Sequence, residues 1–302
     1  MSIPLAYFSI VLIWSTTPLA IQWSTQGAGF ALAVLLRMLI GLLLVSLIVL
    51  VARIGLPLHA RARRAYLIGG LGTFGAMTLT YWGSRYLHSG LVSVLWGLSP
   101  LMAGLLAAVL LGEKSLTPLK IGGTLLGIAG LALIFLQGDS LGGAHALAGL
   151  LALLLAVLIH NGVMLWLQHI GDDSPPLATT LGSLAVAVPL FALCWWLIDG
   201  ELPNQLPSRT SGAIVYLGVV GSVVGFALYY YVIKHLHASK VSLITLITPV
   251  LALLLGNLLN GEDISPRLWA GACTILLGLL LHQWDGIAPL LQQCRARLRW
   301  GE

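Results

Sequence analysis

Apolar positions along this chain come in long blocks, not in the alternation of a strand or the one-sided stripe of a surface helix. A bilayer core about 30 Å thick is crossed by about 20 apolar residues of helix. Ten stretches meet that length: 3–22, 30–52, 66–84, 91–111, 118–137, 145–167, 176–198, 211–233, 240–260 and 266–284. Polar residues and turn formers gather in the breaks between them, as GLPLHARARR (55–64), GEKSLTP (112–118), GDDSPP (171–176), DGELPNQLPSR (199–209) and GEDISP (261–266). Pro118 and Pro266 stand where a helix begins, a place that tolerates proline because the first-turn N–H has no partner to lose. The pattern predicts an all-α polytopic membrane protein with ten transmembrane helices.

Composition strengthens this. Of 302 residues, 58% are hydrophobic and 8% charged. A soluble domain carries about 25% charged residues, enough to cover a wet surface. This chain does not, so its basic pI implies no nucleic-acid partner; the partner that composition implies is the lipid bilayer. The N-terminus MSIPLAYF has no basic stretch ahead of its apolar run and reads as an uncleaved first helix. Cys194, Cys273 and Cys294 have neither disulfide-framework nor metal-ligand spacing, and no cofactor or metal site is expected.

Charge orients the spans. With the N-terminus inside, the cytoplasmic segments hold Arg53, Arg61, Arg63, Arg64, Lys114, Lys120, Lys234, Lys240, Arg295, Arg297 and Arg299, and the other side holds Arg85, Arg209 and Arg267. Such asymmetry follows the positive-inside rule. It predicts both termini in the cytoplasm of a bacterial cell, the chain being multi-pass in the inner (plasma) membrane. The tail 285–302, apolar then basic, is expected to lie on the anionic inner surface as a short helix.

The chain also repeats. At the separation of His88 from His237, Ser93 matches Ser242, Pro100 matches Pro249, and Gly112-Glu113 matches Gly261-Glu262; one residue is then lost, and Pro118, Gly123 and Gly130 match Pro266, Gly271 and Gly278. Prolines, histidines and Gly-Glu pairs recurring in order indicate duplication. The expected units are 1–138 and 144–284, five helices each. An odd number of spans makes the second unit enter from the opposite side, giving two inverted repeats with a site expected between them near the midplane. WSTTPLA (14–20), the arginine of the second span, LLGEKSLTP, and GGTLLGIAGLALI resemble the EamA-type transporters of the drug/metabolite transporter superfamily. The resemblance implies a ten-helix carrier exporting small metabolites by alternating access. His160-Asn161 and Asn260 depart from the family's usual residues.

Helix breaks at matching places point to a binding site. Pro100 and Pro249 each remove an internal hydrogen bond and free a carbonyl. Ser93, Trp96 and Pro100 share one helical stripe, and Ser242, Thr245 and Pro249 share its counterpart. Thr73, Met77 and Tyr81 match Ser222, Phe226 and Tyr230, with Tyr229 adjacent. Trp14, Ser15, His160 and Asn161 lie near mid-span. These residues are the cavity candidates; packing between helices would use the same small and hydroxylated side chains. The aromatic ones suit amino acids, related metabolites or amphiphiles. Amphiphile export is the nearest alternative. His160 is the one candidate able to titrate near neutral pH, so protons stay open as a coupling partner. Arg37, about 10 Å into span two by helical rise, is expected either to anchor the helix, by snorkelling to the outer headgroups or binding freed carbonyls at a helix end, or to serve as a gate or anion contact on the outward side. A lipid-modifying enzyme would need clustered acid, base or metal ligands, and the histidines are scattered. A receptor or assembly partner would need soluble domains. The oligomeric state stays open.

Overall fold

The computed structural model describes residues 2–111, 117–135, 145–236, 238–263, 265–284 and 288. The basic tail lies outside the described residues. All regular structure among the described residues is helical. The elements are α1 (Ile3–Thr25), α2 (Phe30–Val51), α3 (Ala60–Gly83), α4 (Ser89–Gly97), α5 (Ser99–Leu111), α6 (Pro118–Phe135), α7 (Ala146–Ile170), α8 (Pro176–Ile198), α9 (Ser208–Tyr216), α10 (Gly225–His235), α11 (Ala238–Asn260) and α12 (Pro266–His282). A 3₁₀ turn, Ser84–Tyr86, follows α3. A π-helical segment, Leu217–Val224, joins α9 to α10 into one long rod.

Among the described residues seven helical stretches are long and apolar enough to cross a membrane: α1, α2, Ser89–Leu110, α7, α8, Ser208–Tyr229 and Leu243–Asn260. The helices Pro118–Ile134 and Pro266–His282 are apolar but shorter. α3 has the length, yet Gly69, Gly70, Gly72 and Gly75 with Thr73, Thr78 and Thr80 dilute its hydropathy. Its packing explains why: α3 lies against both α7 and α8. A helix walled by protein needs close-fitting small residues more than it needs apolar bulk. A Cβ on Gly70 would stand 2.7 Å from the Ser183 carbonyl oxygen, and one on Gly83 2.7 Å from that of Gly149.

A second close crossing joins α6 to α12. Gly123 meets the backbone of Gly278, and Gly130 meets that of Gly271, so the two helices run antiparallel. Elsewhere α2 packs on α8, and α4 on α11. α1 packs on α9, α10 and α11, and α7 on α3 and α5. Buried apolar clusters fill three places. One gathers Leu91, Leu95, Leu150, Leu253 and Ile275. A second gathers Phe30, Leu32, Tyr81, Phe191 and Leu217. The third gathers Ile10, Val232 and Ile244. Leu50, Val109 and Leu258 point outward at 70–75% exposure, which suits a surface solvated by acyl chains.

The bundle has two polar ends. One brings together the α1–α2 turn, the 3₁₀ turn, and the segments after α8 and α11: Gln22 donates to the Leu87 carbonyl at 2.5 Å, and Thr210 to that of Gln26 at 2.6 Å. At the other end His59 caps α3 by accepting from the Ala62 N–H at 3.2 Å and lies 3.6 Å from Asp172. Observed helices exceed the expected spans at several ends. α3 begins six residues before position 66, because the His59 cap and the helix-favouring ARARR segment let it continue into water.

Candidate functional site

Arg37 does not reach for headgroups. It is 7% exposed, and its Nε donates to Ser222 Oγ at 3.3 Å while Nη1 donates to the Tyr81 hydroxyl at 3.4 Å. Three residues singled out in the sequence thus meet, from α2, α3 and the π-helical segment. Ser222 in turn donates to the Leu217 carbonyl at 2.9 Å, five residues back. This side-chain bond to a carbonyl of the π-helical segment holds the hydroxyl where Arg37 finds it. The expected snorkelling fails because inward hydroxyls are within reach of the guanidinium. Among the described residues no carboxylate lies at ion-pair distance from it.

Two aromatic pairs form elsewhere. Trp14 and Tyr229 have ring centroids 4.8 Å apart, tilted by 47°. Trp96 and His160 meet edge to face at 5.2 Å, linking α4 to α7. The polar groups beside them mostly turn to their own backbone. Asn161 donates to the Val157 carbonyl at 2.8 Å and Ser15 to that of Val11 at 2.6 Å, the back-bonding by which such residues satisfy themselves inside a helix. Ser93 is buried. Thr73 is half-buried, and Met77 packs on the second apolar cluster. Thr245 accepts from Gln283 at 3.4 Å. The side chains of Phe226, Tyr230 and Ser242 lie outside the described residues.

The paired prolines behave differently. The helix containing Pro100 is interrupted at Leu98, between α4 and α5. Pro249 sits inside an unbroken α11. Its ring lies against Gly97, where even a Cβ would come to 3.2 Å. The missing side chain at Gly97 lets α4 and α11 approach closely there.

Two clefts open near the end that carries Gln22. One, of about 340 Å³, is lined by Thr16, Trp23, Arg209 and Tyr216 among others, with Thr16 and Tyr216 hydroxyls 2.6 Å apart. The other, of about 440 Å³, is lined by Gln22, Gln26, Ser84 and Arg85 among others. None of the cavity candidates lines either cleft.

The largest surprise is Glu262, a loop acid by sequence that is 7% exposed in the fold. Its Oε2 accepts from the Ser89 N–H at 3.0 Å, in the first turn of α4, and its Oε1 accepts from Asn260 at 3.0 Å. Asn260 also donates to Gln22 at 3.3 Å and accepts from Trp23 Nε1 at 3.0 Å. The Arg209 guanidinium stacks 3.9 Å from the Trp23 ring. Gly261, at φ +63°, turns the chain so that Glu262 folds back. Gly256 leaves the space: a Cβ there would stand 2.5 Å from Glu262 Oε2. The recurring Gly-Glu pair was the available signal for this network; what it did not disclose was the helix N-terminus that the carboxylate would meet.

This is the architecture of a membrane transporter, many-helixed, apolar outside, with an arginine and aromatic pairs held between helices. The chain belongs to the EamA-like transporter family, whose model matches residues 1–136 and 147–282. It is 28% identical over 284 residues to the "Probable terminal-alkyne amino-acid exporter" of Streptantibioticus cattleyicolor, covering 90% of each chain. It is 27% identical over 286 residues to the "Uncharacterized transporter YoaV" of Bacillus subtilis, covering 92% of this chain and 95% of that one. A solved crystal structure shares its fold with a TM-score of 0.63 and 24% identity, over 94% of this chain and 97% of that chain. The protein is therefore a multi-pass membrane transporter of a small-molecule substrate.

Proposed function

We propose that the chain is a secondary carrier of ten transmembrane helices that exports amino acids or related small metabolites by alternating access. The helices form two inverted units, 1–138 and 144–284. The observation that carries this reading is the exchange of contacts under the sequence match. Gly123 and Gly130 correspond to Gly271 and Gly278, and the contacts run Gly123 to Gly278 and Gly130 to Gly271. Each contact becomes the other when the units are swapped, as a pseudo-two-fold axis requires. The helix pairs agree: α3 packs on α7 and α8, while its counterpart α9–α10 rod packs on α1 and α2. Units related in this way can rock against each other about a site on the axis.

The amino-acid class is supported by the name of the Streptantibioticus relative and by the aromatic pairs Trp14–Tyr229 and Trp96–His160, which suit side chains of moderate size. The basic-residue asymmetry supports inner-membrane placement with both termini cytoplasmic. Under that orientation the Glu262 network ties the outer end.

Exchange in proteoliposomes tests the reading. Vesicles are loaded with a mixed pool of amino acids and other small metabolites, and losses are quantified by mass spectrometry with and without an imposed pH gradient. Selective loss of a few amino acids is expected. Loss of cationic amphiphiles alone would replace the substrate class, and a monodisperse protein that moves nothing would sink the carrier reading.

A further inference from the structure

Arg37 is a costly residue with too little to hold. A guanidinium offers five N–H donors in a planar fork. Only Nε and Nη1 find acceptors among the described residues, at 3.3 and 3.4 Å. Both distances are well beyond the 2.9–3.0 Å at which such bonds are commonest. Nη2 has no hydrogen-bond partner among the described residues. Arg37 is nevertheless 93% buried on 7% exposure, about 10 Å into its span. A charge so placed is expensive and marks a functional pathway more often than a fold requirement.

Its surroundings are donors. The Tyr81 hydroxyl accepts from Arg37 and gives its own proton to no described residue. The unused guanidinium N–H groups point the same chemistry. Ser222 has spent its proton on Leu217, so it holds the guanidinium in place without adding a donor. What remains is an array of N–H and O–H groups around a permanent positive charge, with no carboxylate among the described residues to neutralise it. That array complements an anion with two oxygens in one plane.

We propose that Arg37 and the Tyr81 hydroxyl, positioned by Ser222, bind the carboxylate of the transported solute. This rests on the carrier reading and names the part of the substrate that the protein recognises. A carboxylate held by the fork at about 2.8 Å displaces the two long bonds to hydroxyls, which serve the empty state. The two oxygens take the guanidinium edge, and Tyr81 donates a third bond. The bound solute is thus held by α2 and α3, and its arrival releases the bond that ties Arg37 to the π-helical segment of the other half.

The test uses matched compounds that differ at the carboxyl group: L-leucine and leucinamide, L-phenylalanine and phenylalaninamide, 3-phenylpropionate and phenethylamine. Thermal stabilisation of purified full-length protein in detergent reads binding without requiring transport, and exchange in proteoliposomes reads flux. The acids are expected to stabilise the wild type and the amides and amines are not. Arg37→Gln should weaken the acids about 10- to 100-fold, the effect of losing hydrogen bonds to a charged group. Arg37→Lys should keep the preference for acids at reduced affinity, which shows that charge is what is read, and the ligand-free melting transition of each variant shows that it folds. Tyr81→Phe should cost a few-fold. Amides binding as well as acids, an unaltered acid preference in Arg37→Gln, or no stabilisation by any acid would each overturn the proposal. Flux of neutral or cationic compounds without acid preference would leave a carrier and remove this site. Acid stabilisation without any flux would keep the site and remove the carrier.

Discussion

Removing the Glu262 carboxylate should loosen the junction of α4 with α11. In Glu262→Ala the Ser89 N–H, 3.0 Å from Oε2, becomes an orphan donor at the start of a helix, and Asn260 loses the bond at 3.0 Å. Hydrogen bonds to a charged group are each worth about 1.5–3 kcal/mol. A carboxylate at a helix N-terminus gains a further fraction from the helix dipole, about 0.3–1 kcal/mol. Water reaching the vacated space would recover part of this, leaving an expected loss of about 3 kcal/mol. Glu262→Gln keeps one acceptor oxygen for Ser89 but turns its amide NH2 toward the Asn260 donor, so it loses that bond as well as the charge assistance, about 2 kcal/mol. The assay is reversible unfolding of the purified protein in mixed micelles of rising SDS fraction, followed by tryptophan fluorescence. Trp23 lies in the network through its 3.0 Å bond to Asn260, so its emission also reports local loosening. A Glu262→Ala protein within about 0.5 kcal/mol of wild type would refute the capping argument, since surface changes fall in that range. Equal losses in the Ala and Gln variants would refute the part that assigns the effect to acceptance at α4.

Other outcomes follow from the same geometry. Gly130→Ala puts a Cβ 2.7 Å from the Gly271 carbonyl oxygen and from Ile275, and overpacking of this kind should cost about 1–3 kcal/mol. Adding Gly271→Ala at the same crossing should give a non-additive loss in the same unfolding assay, and simple additivity would show that the two glycines do not share one contact. Pro249→Ala and Pro100→Ala are each expected to lower exchange rates in proteoliposomes while leaving the protein folded; normal flux in both would assign the prolines to packing. His160→Ala and Trp96→Ala should each lower substrate affinity. The double variant should be no worse than the poorer single one, because the 5.2 Å ring contact is lost in either; fully additive losses would show that the rings act separately.

Much of the helical layout was legible in the chain itself. A helix in lipid closes all its backbone hydrogen bonds internally, so its existence depends on a local property, the length of the apolar run. The expected spans 176–198 and 240–260 coincide with or closely approach α8 and α11. Helix starts at Pro118 and Pro266 were likewise local, because proline's fixed φ suits the first turn wherever it stands. The repeat was visible because prolines, histidines and Gly-Glu pairs recur at a constant separation.

What the sequence by itself determined is therefore what depends on near neighbours: that the chain is helical and membrane-borne, where most helices begin, and that one half echoes the other. The tertiary structure decided which polar groups meet. Arg37 had no predictable partner, since Ser222 is 185 residues away and reaches it through a π-helical turn that no periodicity announces. Glu262 read as a solvated loop acid until the fold brought Ser89, 173 residues distant, onto its carboxylate. The proline pair looked equivalent in the chain, yet the helix is interrupted beside Pro100 and runs on through Pro249. For Arg37 and Glu262 the reason is the same. Burial of a polar group is tolerable only where another part of the chain supplies its hydrogen-bond partner, and that supply is set by packing between distant segments.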